Sequence, residues 1–212
     1  PCRQISDLAQ PVLQWVFPVN KREKKSNEAV VSDLFLDKWR EIWREKEGIF
    51  SADEWYSMLD LGKTMKGLIT AKESEEIIRK LQFKSFSSTF KAMIIWLPEA
   101  MNQEAANKIL KILEEPWDGT LFILVSEHPE LLLQTITSRT QEVSVGRIDV
   151  ATLERIAIAA GKGEAEARNM ARLAGGSIIE LRELMRGETD EMRAQSFELF
   201  TRLMRLGYND KH

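Results

Sequence analysis

KAMIIWLPEAMNQEAANKILKILEEPWDGTLFILVSEHPELLLQTITSRT, residues 91–140, holds the order of parts that decides the fold. An apolar run from Ala92 to Leu97 has the length and β-branched content of a buried strand. A short acidic turn follows, then an amphipathic helix, then a second buried strand from Thr120 to Ser126. The segment closes on Ser138-Arg139. Two apolar strands joined through one helix make a parallel, right-handed crossover unit. Ligands of such sheets sit at the carboxyl ends of the strands. Glu99, Ser126 and Arg139 all fall at or just beyond those ends.

Upstream, residues 1–10 read as the end of a helix and Leu13 to Phe17 as a further buried strand stopped by Pro18. Residues 27–46 carry Val31, Phe35, Trp39 and Ile42 or Trp43 at three- and four-residue steps, which predicts a long amphipathic helix ended by Gly48. Ser51-Ala52-Asp53-Glu54 is a capping box that opens a second helix. Gly67 to Thr70 reads as a short edge strand, Ala71 to Leu81 as a helix, and Ser85 to Phe90 as a loop.

Downstream, Gln141 to Val145 alternates like a last short strand. From Asp149 the pattern turns wholly helical: Asp149 to Ala160, Glu164 to Ala174 and Ile178 to Met185, with Ser177 as an N-cap. Glu188 to Leu206 is a further amphipathic stretch.

Among 212 residues, 43% are hydrophobic and 30% charged, the balance of a globular protein large enough for one big domain or two small ones. Neither an 18-residue apolar run nor a signal peptide is present in the sequence, which leads us to expect a cytoplasmic location. A net charge of −3 argues against a protein that binds chiefly by neutralising phosphates. The run Lys21-Arg22-Glu23-Lys24-Lys25 is the exception, readable as a solvated loop or as a nucleic-acid contact. Cys2 is the single cysteine, and His128 and His212 stand far from it, so no metal-ligand spacing appears and no bound metal is expected.

Gly62-Lys63-Thr64 imitates the end of a phosphate-binding loop, but the first glycine of that motif would fall at Ser57, inside an expected helix. Without it the backbone cannot wrap a phosphate.

Ala105-Ala106-Asn107-Lys108-Ile109-Leu110-Lys111-Ile112-Leu113-Glu114-Glu115-Pro116 and Ser138-Arg139-Thr140 together resemble the "AAN-LLK-LEEPP" helix and the "SRC" motif of bacterial clamp-loader subunits, within the AAA+ ATPases. The likeness covers roughly residues 1–190. It implies an α/β fold: a partial AAA+ parallel-sheet domain (1–146) with a helical insertion at about 20–65. A small all-helical lid (147–187) would follow, and then the first helix of a collar (188–212). The phosphate-binding loop of the family would precede residue 1, and Pro1 in place of a methionine reads as the start of an excised or processed piece. Many members also carry a four-cysteine zinc module before a strand like Leu13–Phe17, so Cys2 would be its last ligand, the others lying upstream.

Active members place Asp-Glu after the strand ending at Leu97, the Asp for magnesium and the Glu for the attacking water. Here the pair is Pro98-Glu99, and proline offers no oxygen. Glu99 is either a relic of that site or a helix-start carboxylate favoured by the dipole. Ser126 matches the polar residue that senses phosphate, or simply caps its strand. A lid arginine in a "GS-x-R" pattern is replaced by Ile179 in Gly176-Ser177-Ile178-Ile179, and Ile179 is expected to pack in the lid core. Arg139, with Ser138 beside it, matches the arginine that the family lends in trans to a neighbour's ATP; the plain alternative is a surface arginine paired with an acid such as Glu142.

The resemblance therefore implies an inert stator, a non-catalytic subunit of a polymerase holoenzyme without ATPase or cofactor of its own. ATP-magnesium would sit at neighbouring subunits. Its partners would be the gamma/tau and delta loader subunits and the sliding clamp, with primed DNA met through the assembly. Two alternatives stand beside it. One is the ATP-hydrolysing gamma/tau motor, which Pro98 and Ile179 oppose; the other is a DNA-binding module built on Lys21 to Lys25.

Overall fold

The computed structural model describes residues 12–20, 30–62, 64–82 and 90–187. Three parallel strands form one sheet in the order β1 (Leu13–Val16), β2 (Lys91–Trp96) and β3 (Thr120–Val125). Trp15 stands opposite Ile94, and Ile94 opposite Ile123. Helices α1 (Leu36–Glu45), α2 (Ala52–Met58) and α3 (Ala71–Gln82) lie between β1 and β2 in the chain. Helix α4 (Gln103–Glu114) makes the crossover from β2 to β3, and the short α5 (Gln134–Thr137) follows.

A parallel sheet needs apolar cover on both faces. One face is covered over β1 and β2 by an aromatic cluster, while Leu121, Ile123 and Val125 of β3 stay exposed. Phe17 stacks on Trp39 with centroids 4.2 Å apart, and Trp55 meets both rings edge-on. Ile94 and Trp96 of β2 pack against this cluster. The opposite face is filled by Val16, Met93 and Ile95 with Ile77 and Leu81 of α3 and Ile109, Ile112 and Leu113 of α4. Each fully buried side chain of this size contributes roughly 1.5–3 kcal/mol.

Local signals act where the sequence places them. Ser51 and Glu54 form the reciprocal capping box, at 3.1 and 2.9 Å, and Glu54 also takes Lys46 Nζ at 2.6 Å. Asn102 caps α4 through the N–H of Ala105. At Gly67 an added Cβ would lie 2.8 Å from the Pro18 carbonyl carbon and oxygen, so no larger residue fits without displacing backbone. Trp55 Nε1 donates to that same Pro18 carbonyl at 2.8 Å, which ties α2 to the end of β1.

Three local expectations change. Over residues 27–46, Val31 is extended and α1 begins only at Leu36, after a 3-10 turn over Ser32–Phe35. The cause is Glu73, whose carboxylate takes both the backbone N–H and the hydroxyl of Ser32, at 2.6 and 2.5 Å. An uninterrupted helix would have sent that N–H to its own preceding turn. Gly67 to Thr70 supplies only single bridges, Leu68 to Val19 and Ile69 to Met101. Gln141 to Val145 is no strand: Val143 and Val145 are 76% and 91% exposed. Alternating valines satisfy the pattern, but alternation alone does not make a strand, and these residues pair with no strand among those described.

The chain divides into two compact units between Val143 and Ser144. Within the second, α6 (Val150–Ala159), α7 (Glu164–Leu173) and α8 (Ile178–Arg186) enclose a small core of Leu153, Ala157, Ala167, Ala171, Ala174 and Leu181. Alanines at the contact let α6 and α7 approach closely. Asp149 caps α6 through Thr152, and Ser177 caps α8 through the N–H of Glu180. Gly176, at φ +89°, has no room for a side chain beside Arg147, and Arg147 Nη1 donates to the Gly175 carbonyl at 2.7 Å. Ile178 packs against the core, with Leu184 and Met185; Ile179 is half-buried and lies outside that cluster, one helical step round from the Ile178–Leu181 stripe. Residues 1–10, the basic run and the stretch from Glu188 lie outside the described residues. Among those described, no helix is long and apolar enough to cross a membrane.

Candidate functional site at the carboxyl ends of the strands

Leu97 ends β2 in the left-handed region, at φ +53°, and its N–H donates to the Val125 carbonyl at 2.8 Å. A non-glycine residue there is uncommon. Pro98 follows, buried, at the first position of a 3-10 turn over Pro98–Ala100. Its ring carries no side-chain donor or acceptor for a cation.

The turn brings Glu99 to the end of β3. Glu99 Oε1 accepts the backbone N–H of Glu127 at 3.0 Å and of His128 at 3.1 Å. Ser126 Oγ accepts the same His128 N–H at 3.2 Å. Glu99 and Ser126 thus meet on one backbone donor, and both hold the loop that leaves β3. Glu99 Oε2 is buried without a partner among the described residues.

The surroundings are acidic. Burial, with Asp53, Glu99 and Glu127 adding to it, pushes the Tyr56 phenol up to about 12. Burial first and then Glu99 push the Glu127 carboxyl above its usual range. Such a corner repels a polyphosphate unless a cation intervenes. Among the described residues no group of three or more His, Cys, Asp or Glu side chains could hold a metal ion. Ser57 lies within the helix Ala52–Met58, so the position of the motif's first glycine is helical where a phosphate-binding loop would need to wrap.

Arg139 stands apart from this corner, in the turn after α5. Its Nη1 donates to the Thr135 carbonyl at 2.9 Å and to Ser138 Oγ at 3.2 Å. Its Nη2 lies 2.6 Å from Glu114 Oε1, the last residue of α4. The side chain is 29% exposed and that of Glu114 50%. The acid that pairs with it is therefore Glu114 rather than Glu142. Arg139 Nε is buried and has no partner among the described residues. Sequence reading passed over Glu114 because it stands 25 positions away; the available signal was a pair of glutamates, Glu114-Glu115, at a helix end where the dipole disfavours anions.

The described fold is thus an α/β unit with a parallel sheet, an acidic turn at the carboxyl edge of that sheet and an arginine-bearing turn beyond β3. A family profile described as DNA polymerase III, delta subunit, matches residues 1–149, and the chain belongs to that family. Among curated relatives, DNA polymerase III subunit delta' of Pseudomonas aeruginosa is 38% identical over 117 residues, covering 54% of this chain and 36% of that protein. Subunit delta' of Bacillus subtilis is 32% identical over 133 residues, covering 58% and 40%. The chain thus spans about a third to two fifths of these relatives' length. Among solved structures, a DNA polymerase III gamma subunit-related protein of Thermotoga maritima aligns with 81% of this chain and 57% of its own, at 18% identity and a TM-score of 0.39.

Proposed function

We propose that the chain belongs to the inert, delta'-type subunit of a DNA polymerase III clamp loader, a stator that lends Arg139 to the ATP site of a neighbouring motor subunit. The observation that carries this reading is a contrast between two side chains. Glu99, in the position of a water-orienting carboxylate, is already committed to the Glu127 and His128 N–H groups and follows a proline. Arg139 remains partly open to solvent, tethered by one carbonyl, one hydroxyl and one exposed carboxylate.

A guanidinium needs no phosphate-binding loop of its own to act on another subunit's nucleotide. It offers a planar fork of donors to charge that builds on the transferred γ-phosphoryl group. Ser138 shares the turn and steadies Nη1. Glu99 and Ser126 in this reading are remnants of a nucleotide site turned to holding a loop. Magnesium and ATP belong to the neighbours, gamma/tau subunits; delta, the sliding clamp and primed DNA are the remaining partners, and the setting is the cytoplasm.

The reading is tested with the full-length protein. Alone, it should show no magnesium-dependent ATP hydrolysis; a reconstituted loader carrying Arg139→Ala should assemble yet hydrolyse ATP more slowly. Hydrolysis by the isolated subunit would instead make it a motor.

A further inference from the structure

The geometry points to Glu114 as a counter-ion latch for Arg139, held in the unassembled chain and exchanged for an anionic group of the neighbour on assembly. This rests on the trans role of Arg139 and adds a regulator to it.

Glu114 is an odd choice at its position. It is the last residue of a 12-residue helix, followed at once by Glu115, so two carboxylates face the negative end of the α4 dipole. Locally only Lys111, in the same last turn, offsets them. What compensates Glu114 is the guanidinium 2.6 Å away, brought in by the turn after α5.

The three holds on Arg139 differ in kind. The Thr135 carbonyl and Ser138 Oγ belong to the same turn as Arg139 and move with it. Both act on Nη1, so they fix the direction of the fork without using its other arm. Among the described residues Glu114 alone pairs with Nη2; it comes from a different element and is half exposed. It is the one hold that a competing anion can reach and displace.

An exposed ion pair is weak, so giving it up costs little. A polyphosphate carries several charges and can take two parallel hydrogen bonds from a guanidinium, which one carboxylate oxygen at the surface does not. The exchange therefore runs toward the neighbour's nucleotide when one is present. With none, Glu114 neutralises the arginine and keeps it from stray anions. The charge of Glu114, more than its shape, sets how readily Arg139 is released.

The test uses full-length protein titrated onto the ATP-loaded neighbouring subunit at low salt. Glu114→Gln keeps a side chain that can accept from Nη2 but removes the charge. It should tighten association about two- to five-fold, the scale of one exposed pair. The gain should shrink as salt rises and vanish when Arg139→Ala is added. Glu115→Gln, one residue on, should give no gain. Unchanged or weaker association by Glu114→Gln, or a gain that persists without Arg139, overturns the latch. ATP hydrolysis read in the same samples separates the two ideas: Arg139→Ala with an undiminished rate removes the trans role, whereas a slowed rate with no gain from Glu114→Gln removes only the latch.

Discussion

Arg139 Nη2 sits 2.6 Å from Glu114 Oε1, joining the turn beyond β3 to the last residue of the helix before it. Glu114 is half exposed and Arg139 partly so, and the pair sets where a charge points more than how firmly the fold holds. Glu114→Gln should lower stability by no more than about 1 kcal/mol in chemical denaturation. A larger loss would mean that the pair is a structural tie.

Glu99 is a different case, because its carboxylate satisfies two backbone donors at the strand ends. Glu99→Ala leaves the Glu127 and His128 N–H groups without it and should cost about 1–3 kcal/mol. Glu99→Gln, which keeps an acceptor oxygen, should cost less. In a reconstituted loader both should leave the ATP hydrolysis rate near that of the wild type. A rate that falls with Glu99→Gln while stability holds would return Glu99 to the chemistry.

Glu73 gives a pH signature. Burial pushes its carboxyl above the usual value of 4.5 against the pull of the Ser32 hydrogen bonds and Lys80. Between 4.5 and the higher folded value the native state holds more of this proton than the unfolded chain does. The group's contribution to stability is therefore fully present below 4.5 and is lost as pH rises through the folded value. Compared with Glu73→Gln, the wild type should lose relative stability as pH climbs from 4.5, measured by denaturation at a series of pH values. A difference that is flat with pH, or that grows in favour of the wild type, would contradict this. Glu73→Ala, which leaves the buried Ser32 N–H without this partner, should cost about 1–3 kcal/mol or more.

Gly67 marks a close approach of backbone in the first unit. Gly67→Ala forces its Cβ onto the Pro18 carbonyl and the Tyr56 ring and should destabilise by about 1–3 kcal/mol. The loss should be visible as a lower thermal midpoint with the helical content of the fold retained.

The parts of the fold that were legible in the sequence are those written in local pattern. The apolar runs of β2 and β3, the Ser51–Glu54 box and the Ser177 cap each need only neighbours in the chain. What escaped depends on distant partners. Glu73 reaches Ser32 across 41 positions and delays α1. The valines at 143 and 145 keep a strand's alternation without pairing to any described strand. Ile178 and Ile179 are chemically alike, and only the phase of α8 decides which one meets the core. At the candidate site, Glu99 and Ser126 could be named from their places at strand ends, and Ser138 and Arg139 from the motif their segment resembles. Their division into a loop clasp and a tethered cation could not, because it rests on backbone donors and on Glu114.

The central claim is that this subunit supplies a cation to a reaction it does not itself catalyse. Single-turnover ATP hydrolysis by a reconstituted loader, with Arg139→Ala in the full-length subunit, tests it most directly. The account predicts a fall of about tenfold or more at the adjoining ATP site with the subunits still assembled. A wild-type rate at that site would contradict it.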